Sequence, residues 1–371
     1  MAADSVAAVG QPVIEWDALA ARARSRRRWT MTALYAFLIV VSVPILIPYL
    51  WMFTISISAT TGGTDTFVLW RAVAILGPAV FAFWPLQAIF EDGKALQRAR
   101  LVLVAVALIA LAIFVAPHLH EHNFRFMWNR NFVDELRGYG GGLIQQFPSV
   151  WVAFANSLLL AGAVMLIVVT VATLAGYYIS RFAFAGRSTF LRSLLVLHAF
   201  PAMTLIIPIF LILFAVSEYG WILGEIIGLG TIGGVVLVIC TLELPFAIFI
   251  MKGFFDAVPW EIEMSALADG ASRRQAFVRV VLPQVKVGMF AIGIFAFIRG
   301  WEEYVLVRTL LQFEKSNWVM SLYLFWVADD IMGVDYGMVA AVGVLYVAPS
   351  LLLYVFTQKF LVQMTLGGIK G

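Results

Sequence analysis

The sequence comprises 371 residues, of which 62% are hydrophobic and 13% are charged, and its formal net charge is +3. A soluble domain carries roughly 25% charged residues, so this composition excludes a water-soluble globular protein and predicts that lipid is the solvent. The small net charge argues against nucleic-acid binding. The single cysteine, Cys240, excludes an internal disulfide and a thiol-based metal site.

Apolar runs of about 18 or more residues recur along the chain, and each is about long enough to cross a bilayer as a helix. Alternation with the period of a strand is absent from the sequence, which argues against a transmembrane β-barrel. The sequence therefore predicts an all-α, polytopic bundle of about eight transmembrane helices. The predicted spans lie near residues 30–57, 68–90, 101–117, 150–180, 189–216, 229–253, 286–310 and 337–360.

Residues 1–28 form a polar tail that is rich in arginine between Arg22 and Arg28, and the first apolar run follows it. A signal peptide has an apolar core of roughly 7–15 residues, which is shorter than this run, so an uncleaved first helix is the preferred interpretation. Cleavage within Ser56-Ile57-Ser58-Ala59 is the alternative.

Lysine and arginine collect in alternate loops, as expected when basic loops stay cytoplasmic. The loop at 58–67 has neither residue and is predicted to be external, whereas the arginine-rich tail and the C-terminal end are predicted to be cytoplasmic. The other basic residues that define the cytoplasmic side are Lys94, Arg98, Arg100, Arg181, Arg187, Arg192, Arg273, Arg274, Arg279, Lys286, Lys359 and Lys370.

The segment from Pro117 to Ser149 is predicted to be an external loop with a short helix. Its histidines, His118, His120 and His122, suggest a metal site, but no cysteine and no regular ligand spacing supports one. A solvated loop is therefore preferred, and no metal site is predicted.

The stretch from Phe254 to Gln284 is too polar to cross a membrane and too patterned to be a plain linker. Pro259 suits the first turn of a helix, where its missing N–H costs nothing, and Glu261 and Glu263 are favourable near the positive end of that helix. Gly270 supplies a C-terminal stop. The pattern predicts a short helix that ends at a tight corner.

A second short helix is predicted to follow the corner formed by Asp269 and Gly270. Ser272 and Gln275 form a capping-box pattern for its start, and Pro283 is expected to end it because proline lacks the N–H for the preceding turn. Such a rigid cytoplasmic projection suits docking to a soluble partner. A hairpin lying on the membrane surface without a partner is the alternative, and the pattern by itself leaves both open.

The corner reads Glu261-Ile262-Glu263-Met264-Ser265-Ala266-Leu267-Ala268-Asp269-Gly270 and is followed by Val280-Val281-Leu282-Pro283. This sequence resembles the EAA loop of ABC importer permeases, and the resemblance implies that it is a coupling helix seated in a groove of an ATPase. Met264 stands where the family has its glutamate, so Glu261 or Glu263 is expected to replace part of that polar contact. The implied coupling residues are Glu261, Glu263, Met264, Ser265, Ala266, Asp269, Gly270, Leu282 and Pro283.

Further motifs extend the resemblance over about 150–371, towards the second permease of maltose-type carbohydrate importers. The family core has six spans, and the two predicted spans near 68–90 and 101–117 fall outside the resemblance. The matching segments are Ala175–Arg187, similar to AYAFARxxFxGR, Phe297–Glu302, similar to FIxxWN with Glu302 in place of asparagine, and Leu366–Gly371, similar to AGAVKG.

The resemblance implies a non-enzymatic, multi-pass permease subunit of a bacterial inner membrane, with both termini cytoplasmic, that takes up a sugar or a sugar-like solute. Its implied partners are a second homologous permease in a heterodimer, a dimeric ATP-binding cassette subunit and a periplasmic solute-binding protein. The sequence contains no P-loop motif, so no cofactor is expected on this chain, and ATP and Mg²⁺ are expected on the ATPase. The sequence does not identify the solute.

Three regions are expected: a cytoplasmic tail at 1–28, an N-terminal transmembrane region with two extra helices and an external loop at 29–149, and a permease core at 150–371 that includes the coupling loop at 254–285. A secondary transporter or channel that needs no ATPase is the alternative, but it would require coupling-ion sites and ideally internal repeats. No clear repeat relates the two halves of the sequence. A membrane enzyme would require a convergent catalytic cluster, which the sparse polar residues do not offer.

Ionisable residues inside spans are costly and are functional candidates by default. Glu243 lies in the span before the coupling loop, and Arg299, Glu302 and Glu303 lie in the span after it, where Arg299 reaches Glu303 at i+4. One interpretation is an ion pair that packs the helices together. The other is a polar wall of the substrate pathway, in which Trp301 and Glu302 stack on and hydrogen-bond a sugar.

Overall fold

A computed structural model describes residues 16–58, 67–83, 86, 93–129, 132–133, 147–329 and 335–367, and the regular elements within them are all helical. This confirms the predicted all-α class. The α-helices are α1 (Trp16–Ser56), α2 (Phe67–Phe83), α3 (Gly93–Phe114), α4 (Val150–Arg181), α5 (Arg187–Ala199), α6 (Ile206–Tyr219), α7 (Ile222–Ile227), α8 (Ile232–Asp256), α9 (Trp260–Ala268), α10 (Arg273–Gln275), α11 (Lys286–Glu302), α12 (Val305–Leu311), α13 (Met320–Ala328) and α14 (Tyr336–Gly367).

Some predicted segments lie wholly or partly outside the described residues. They are the start of the polar tail, most of the external loop at 58–67, part of the external segment at 117–149 and the C-terminal end. The predictions for these segments stay predictions.

Six helical segments in the described part of the chain are long and apolar enough to cross a membrane, so the protein is a multi-pass membrane protein. A seventh candidate is a pair of helical segments within α1, at 36–42 and 44–56, which are bent by 48° relative to each other. The helix at Val68–Phe83 is apolar but shorter than these candidates. The count of eight spans remains a prediction. The six segments are Gly93–His118, Val150–Arg181, Ala202–Tyr219, Ile232–Asp256, Arg273–Glu302 and Tyr336–Gln358.

The single span predicted near 189–216 is wrong, because the structure divides it into two helices. α5 ends at Ala199, and Phe200 and Pro201 are extended, with ψ angles of 128° and 122°. Proline lacks the backbone N–H and its ring disfavours a helical conformation for the residue before it. Only the part after Pro201, Ala202–Tyr219, is long and apolar enough to span a membrane.

Helix α4 lies at the centre of the described bundle and packs most extensively against α8 and α11. Small residues permit this approach: a Cβ atom at Gly176 would lie 2.8 Å from the Met251 Cβ and 2.9 Å from the Lys252 backbone nitrogen. A Cβ atom at Gly300 would lie 2.9 Å from the Ala161 Cα. Close backbone approach through small residues is the usual basis of helix packing in membranes.

Replacing Gly176 with valine is therefore expected to destabilise the protein by about 1–3 kcal/mol, because the added atoms meet backbone that cannot move aside. Gly162→Val is the matched control, since a Cβ at Gly162 of the same helix meets no heavy atom within 4 Å. Thermal denaturation of each purified variant in detergent measures its stability. Equal melting temperatures for the two variants would contradict the close contact between α4 and α8.

Candidate functional site

The predicted corner at Asp269 and Gly270 is confirmed, with a short helix before it and a capped helix start after it. Gly270 has φ +89°, in the left-handed region that favours glycine, and it follows α9 directly. Both halves of the predicted capping box form: the Gln275 N–H donates to Ser272 Oγ at 3.3 Å, and the Ser272 N–H donates to Gln275 Oε1 at 2.8 Å. The local sequence therefore fixes both the stop of α9 and the start of α10.

The prediction that the second helix ends before Pro283 is wrong. The chain continues as a π-helix over Ala276–Val281, a 3₁₀-helix over Leu282–Val285 and then α11. Pro283 lies in the first turn of the 3₁₀-helix, and the Leu282 N–H bonds to the Phe277 carbonyl, so the change of helical type accommodates the missing donor. The corner is thus joined to a membrane span by continuous helix.

Glu263 is buried inside the protein and anchors α9 to the end of α4. Its Oε2 lies 3.0 Å from the Arg181 Nε, and the side chains of Arg181 and Glu263 are only 5% and 6% exposed. The Tyr177 hydroxyl donates to Glu263 Oε1 at 2.5 Å, and the Arg181 Nη2 donates to the Val258 carbonyl at 2.9 Å. Glu263 is therefore oriented inward, and of the two glutamates expected to replace the family contact only Glu261 is exposed.

Aromatic rings extend this anchor. The Tyr177 ring lies 4.4 Å from the ring of Phe277 and 5.5 Å from that of Phe255, measured between centroids, and the Arg181 guanidinium lies 5.3 Å above the Trp260 ring. Tyr177 and Arg181 are one helical turn apart on α4, a spacing that could have identified them together in the sequence. Both residues lie in the family-like segment Ala175–Arg187, but neither was predicted to be a functional residue.

A second polar contact fixes the end of α8. The Ser180 Oγ donates to Asp256 Oδ1 at 2.6 Å, and the Lys252 ammonium pairs with Asp256 Oδ2. The ends of α4 and α8 that the sequence predicts to be cytoplasmic are thus tied to each other and, through Glu263, to α9.

The outer surface of the corner is open to solvent, and we call it the corner surface. Met264 is 43% exposed and is flanked by Trp260 and Ile262, which are 45% and 37% exposed. An exposed apolar patch rimmed by polar groups marks an interaction surface. Of the other predicted coupling residues, Ala266 and Leu282 are half-buried, and the exposed ones are Glu261, Ser265, Asp269, Gly270 and Pro283.

Three charged residues form a cluster within the bundle. The Arg299 Nη1 lies 2.7 Å from Glu303 Oε2, and the Arg299 Nε lies 3.1 Å from Glu243 Oε1. The first contact is the ion pair expected at i+4. The second joins residues 56 positions apart on α11 and α8, and no local sequence signal predicts it. Glu303 also contacts the first turn of α12, since its Oε1 accepts the Leu306 N–H at 3.0 Å.

Trp301 and Glu302 face different surroundings. Trp301 is 1% exposed, its Nε1 donates to the Tyr346 carbonyl at 3.0 Å, and its ring stacks on those of Phe297 and Tyr346. This position assigns Trp301 to core packing and leaves no ring face for a sugar, contrary to the sequence-based interpretation. Glu302 is exposed.

The histidine-rich segment does not assemble a metal site. Among the described residues, no group of three or more histidine, cysteine, aspartate or glutamate side chains could hold a metal ion. His118 instead contacts the Arg71 guanidinium, with 2.8 Å between Nη1 and Nε2, and the His122 ring packs edge-on against Phe132.

Comparison with known proteins gives one family and several relatives. Residues 169–364 match the family described as binding-protein-dependent transport system inner membrane component. The chain is 32% identical over 223 residues to the maltodextrin transport system permease protein MdxG of Bacillus subtilis strain 168, a match that covers 59% of this chain and 75% of MdxG.

Two further comparisons extend this result. The chain is 30% identical over 207 residues to the diacetylchitobiose uptake system permease protein NgcG of Streptomyces coelicolor, which covers 56% of this chain and 65% of NgcG, slightly less than two thirds of that relative. The fold resembles a chain in the crystal structure of a bacterial ABC transporter involved in the import of the acidic polysaccharide alginate. The TM-score is 0.60 at 18% identity, covering 91% of this chain and 97% of that one, so this likeness concerns the fold alone.

Proposed function

The chain belongs to the family of binding-protein-dependent transport system inner membrane components, and from this membership we propose that it takes up a sugar or sugar-like solute as the permease subunit of an ATP-driven importer. The relatives support the class of solute, because they are named for the transport of maltodextrin and diacetylchitobiose. The proposed partners are a second homologous permease, a dimeric ATP-binding cassette subunit and a periplasmic solute-binding protein.

The observation that carries the proposal is the corner surface on a rigidly anchored helix. We propose that α9 seats in the ATPase, which binds ATP and Mg²⁺, and that Met264, Trp260 and Ile262 supply an apolar contact where the family uses a glutamate. Glu261, Ser265, Asp269 and Gly270 surround this contact.

The anchor suggests how ATPase closure would reach the membrane. A push on α9 is transmitted to α4 through the Glu263–Arg181 pair, which is buried and short. It is also transmitted through α10 to α11, because the chain is helical from Arg273 to Glu302. Both connections are stiff, so movement of the corner would tilt these helices rather than bend a linker.

The membrane orientation follows from this docking. Both termini and the corner surface are proposed to face the cytoplasm, in agreement with the basic residues Arg181 at the end of α4 and Arg187 at the start of α5. The three proposed regions keep their boundaries at 1–28, 29–149 and 150–371, with the coupling loop at 254–285.

The polar wall of the pathway is proposed to contain Glu243, Arg299, Glu302 and Glu303. Arg299 remains 41% exposed at its side chain and Glu243 21% exposed, although they are paired, so both can meet a polar solute. Glu303 is more enclosed, with its side chain 5% exposed, and it orients Arg299. Glu302 is the exposed carboxylate beside this cluster.

A cysteine at Met264 is expected to cross-link to the ATPase in the assembled importer and to react with an impermeant maleimide only in inside-out vesicles. Trp221→Cys is the control, because Trp221 is 89% exposed between α6 and α7, on the opposite face of the proposed topology. It should react only in right-side-out vesicles and should not cross-link to the ATPase. Labelling of Met264→Cys from outside, or no cross-link to the ATPase, would contradict the proposed coupling.

A further inference from the structure

A cleft of about 570 Å³ lies between α1, α2 and α3, in the part of the chain that precedes the family match. Its walls come from residues of α1 between Leu50 and Thr54 together with Ile57 just after α1, from residues of α2 between Val68 and Phe81, and from residues between 111 and 119. The atoms that these walls expose to the cleft are apolar. A polar solute would find no hydrogen-bond partner there, and an apolar cavity does not favour water.

The cleft is long and runs along one helix. Its α2 wall extends over 13 residue steps from Val68 to Phe81, which is about 20 Å at 1.5 Å per residue. Three segments, α1, α2 and the chain at 111–119, line the end of the cleft near Ile57 and Val115, so this end is enclosed on three sides. At the other end α2 alone forms the wall, and the cleft is an open groove there. The proposed orientation places the enclosed end at the external surface. A leaflet is about 15 Å thick in its hydrocarbon part, so the cleft is long enough for one acyl chain along the bilayer normal.

Basic and polar groups lie at the end of the cleft near Ile57 and Val115, and we call this end the mouth. The Arg71 Nη1 donates to the Phe114 carbonyl at 3.2 Å and lies 2.8 Å from the His118 Nε2. The His120 N–H donates to the Ile57 carbonyl at 2.7 Å, and the Asn123 Nδ2 donates to the Ser56 carbonyl at 3.1 Å. The mouth therefore holds α1, α2 and the chain after α3 together and places a guanidinium beside the apolar cleft.

We propose that this cleft binds one acyl chain of a glycerophospholipid from the external leaflet, with its phosphate beside Arg71 and His118. The bilayer is as apolar as the cleft, so binding rests on close contact on three sides and on attraction between the phosphate and the guanidinium.

Filling the cleft tests the proposal. A Cβ at Gly77 meets no heavy atom within 4 Å, so Gly77→Leu places its side chain in the cleft without a clash. Gly162→Leu on α4 is the matched control, because its Cβ also meets open space and Gly162 does not line the cleft. The probe is phosphatidylglycerol with a photoreactive acyl chain, added to the delipidated importer and detected by mass spectrometry.

The wild type and Gly162→Leu are expected to retain one probe per copy of this chain and to carry the label on residues 68–81. Gly77→Leu is expected to retain at least about tenfold less. Equal retention by the two glycine variants, or labelling elsewhere, would overturn the proposal. This readout needs no transport, so it is separate from failure of the proposed function.

Changing the charge at position 71 tests the proposed phosphate contact at the mouth. Arg71→Gln is expected to reduce retention of phosphatidylglycerol by about tenfold, and Arg71→Lys is expected to restore most of it because a cation remains. Retention by Arg71→Gln equal to that of the wild type would exclude the phosphate contact. Cross-linking of a cysteine at Val73 to the second permease, without photolabelling by lipid, would assign the cleft to that protein instead.

Discussion

Replacing Glu263 with alanine is expected to destabilise the assembled importer by about 3–5 kcal/mol, because it leaves the Arg181 guanidinium buried without its carboxylate. Both side chains of this pair are almost fully buried, at 5% and 6% exposure, so solvent cannot compensate for the loss. The Tyr177 hydroxyl also loses its acceptor. Thermal denaturation measures the stability of the variant. ATP-driven uptake in proteoliposomes measures its coupling, and we expect uptake to fall together with the stability.

The double variant Arg181→Met with Glu263→Leu separates burial of an unpaired charge from loss of the ion pair. Hydrophobic replacement of a buried ion pair is often neutral or stabilising, so the double variant should be more stable than Glu263→Ala. Glu261→Ala is the exposed control on the same helix and should leave the free energy of unfolding within about 0.5 kcal/mol of the wild type. If Glu263→Ala were as stable as Glu261→Ala, α9 would not depend on the anchor.

Replacing Gly270 with valine is expected to reduce ATP-driven uptake by about tenfold or more. Gly270 has φ +89°, which costs a β-branched residue on the order of 1–3 kcal/mol, and 1.4 kcal/mol corresponds to a factor of ten. No heavy atom lies within 4 Å of a Cβ at this position, so the effect arises from the backbone and not from a clash. The corner would relax and move α9 away from its docking position.

Gly270→Asn is the matched control, because asparagine tolerates the left-handed conformation better than other residues with a side chain. It should retain most of the uptake and most of the cross-linking between Met264→Cys and the ATPase. Unchanged uptake in Gly270→Val would remove the mechanical role of the corner from the proposal. Equal loss in both variants would show that any side chain obstructs docking.

Features set by neighbouring residues were predictable from the sequence. The Ser272–Gln275 capping box and the left-handed Gly270 depend on residues within one turn, and both form as predicted. The apolar runs gave the all-α class because a helix must satisfy its own backbone in lipid. The ion pair between Arg299 and Glu303 also follows from helical spacing alone.

Features set by packing were not predictable. The Glu263 carboxylate faces Arg181, 82 residues away, and Arg299 also binds Glu243, 56 residues away. Trp301 was predicted at the pathway because of its sequence position, but Tyr346 and Phe297 enclose it. The helix through Pro283 was missed because local rules treat proline as a stop, whereas a π-to-3₁₀ transition accommodates it.

The sequence by itself determined that the chain folds as membrane helices and that a capped corner interrupts them, because hydropathy and capping act over a few residues. The tertiary structure alone decided which charges are enclosed and which face solvent. Glu261 and Glu263 are two positions apart on one short helix, yet one is exposed and the other is buried against α4. The direction in which each side chain points depends on how α9 docks on the bundle, and residues distant in the chain fix that docking.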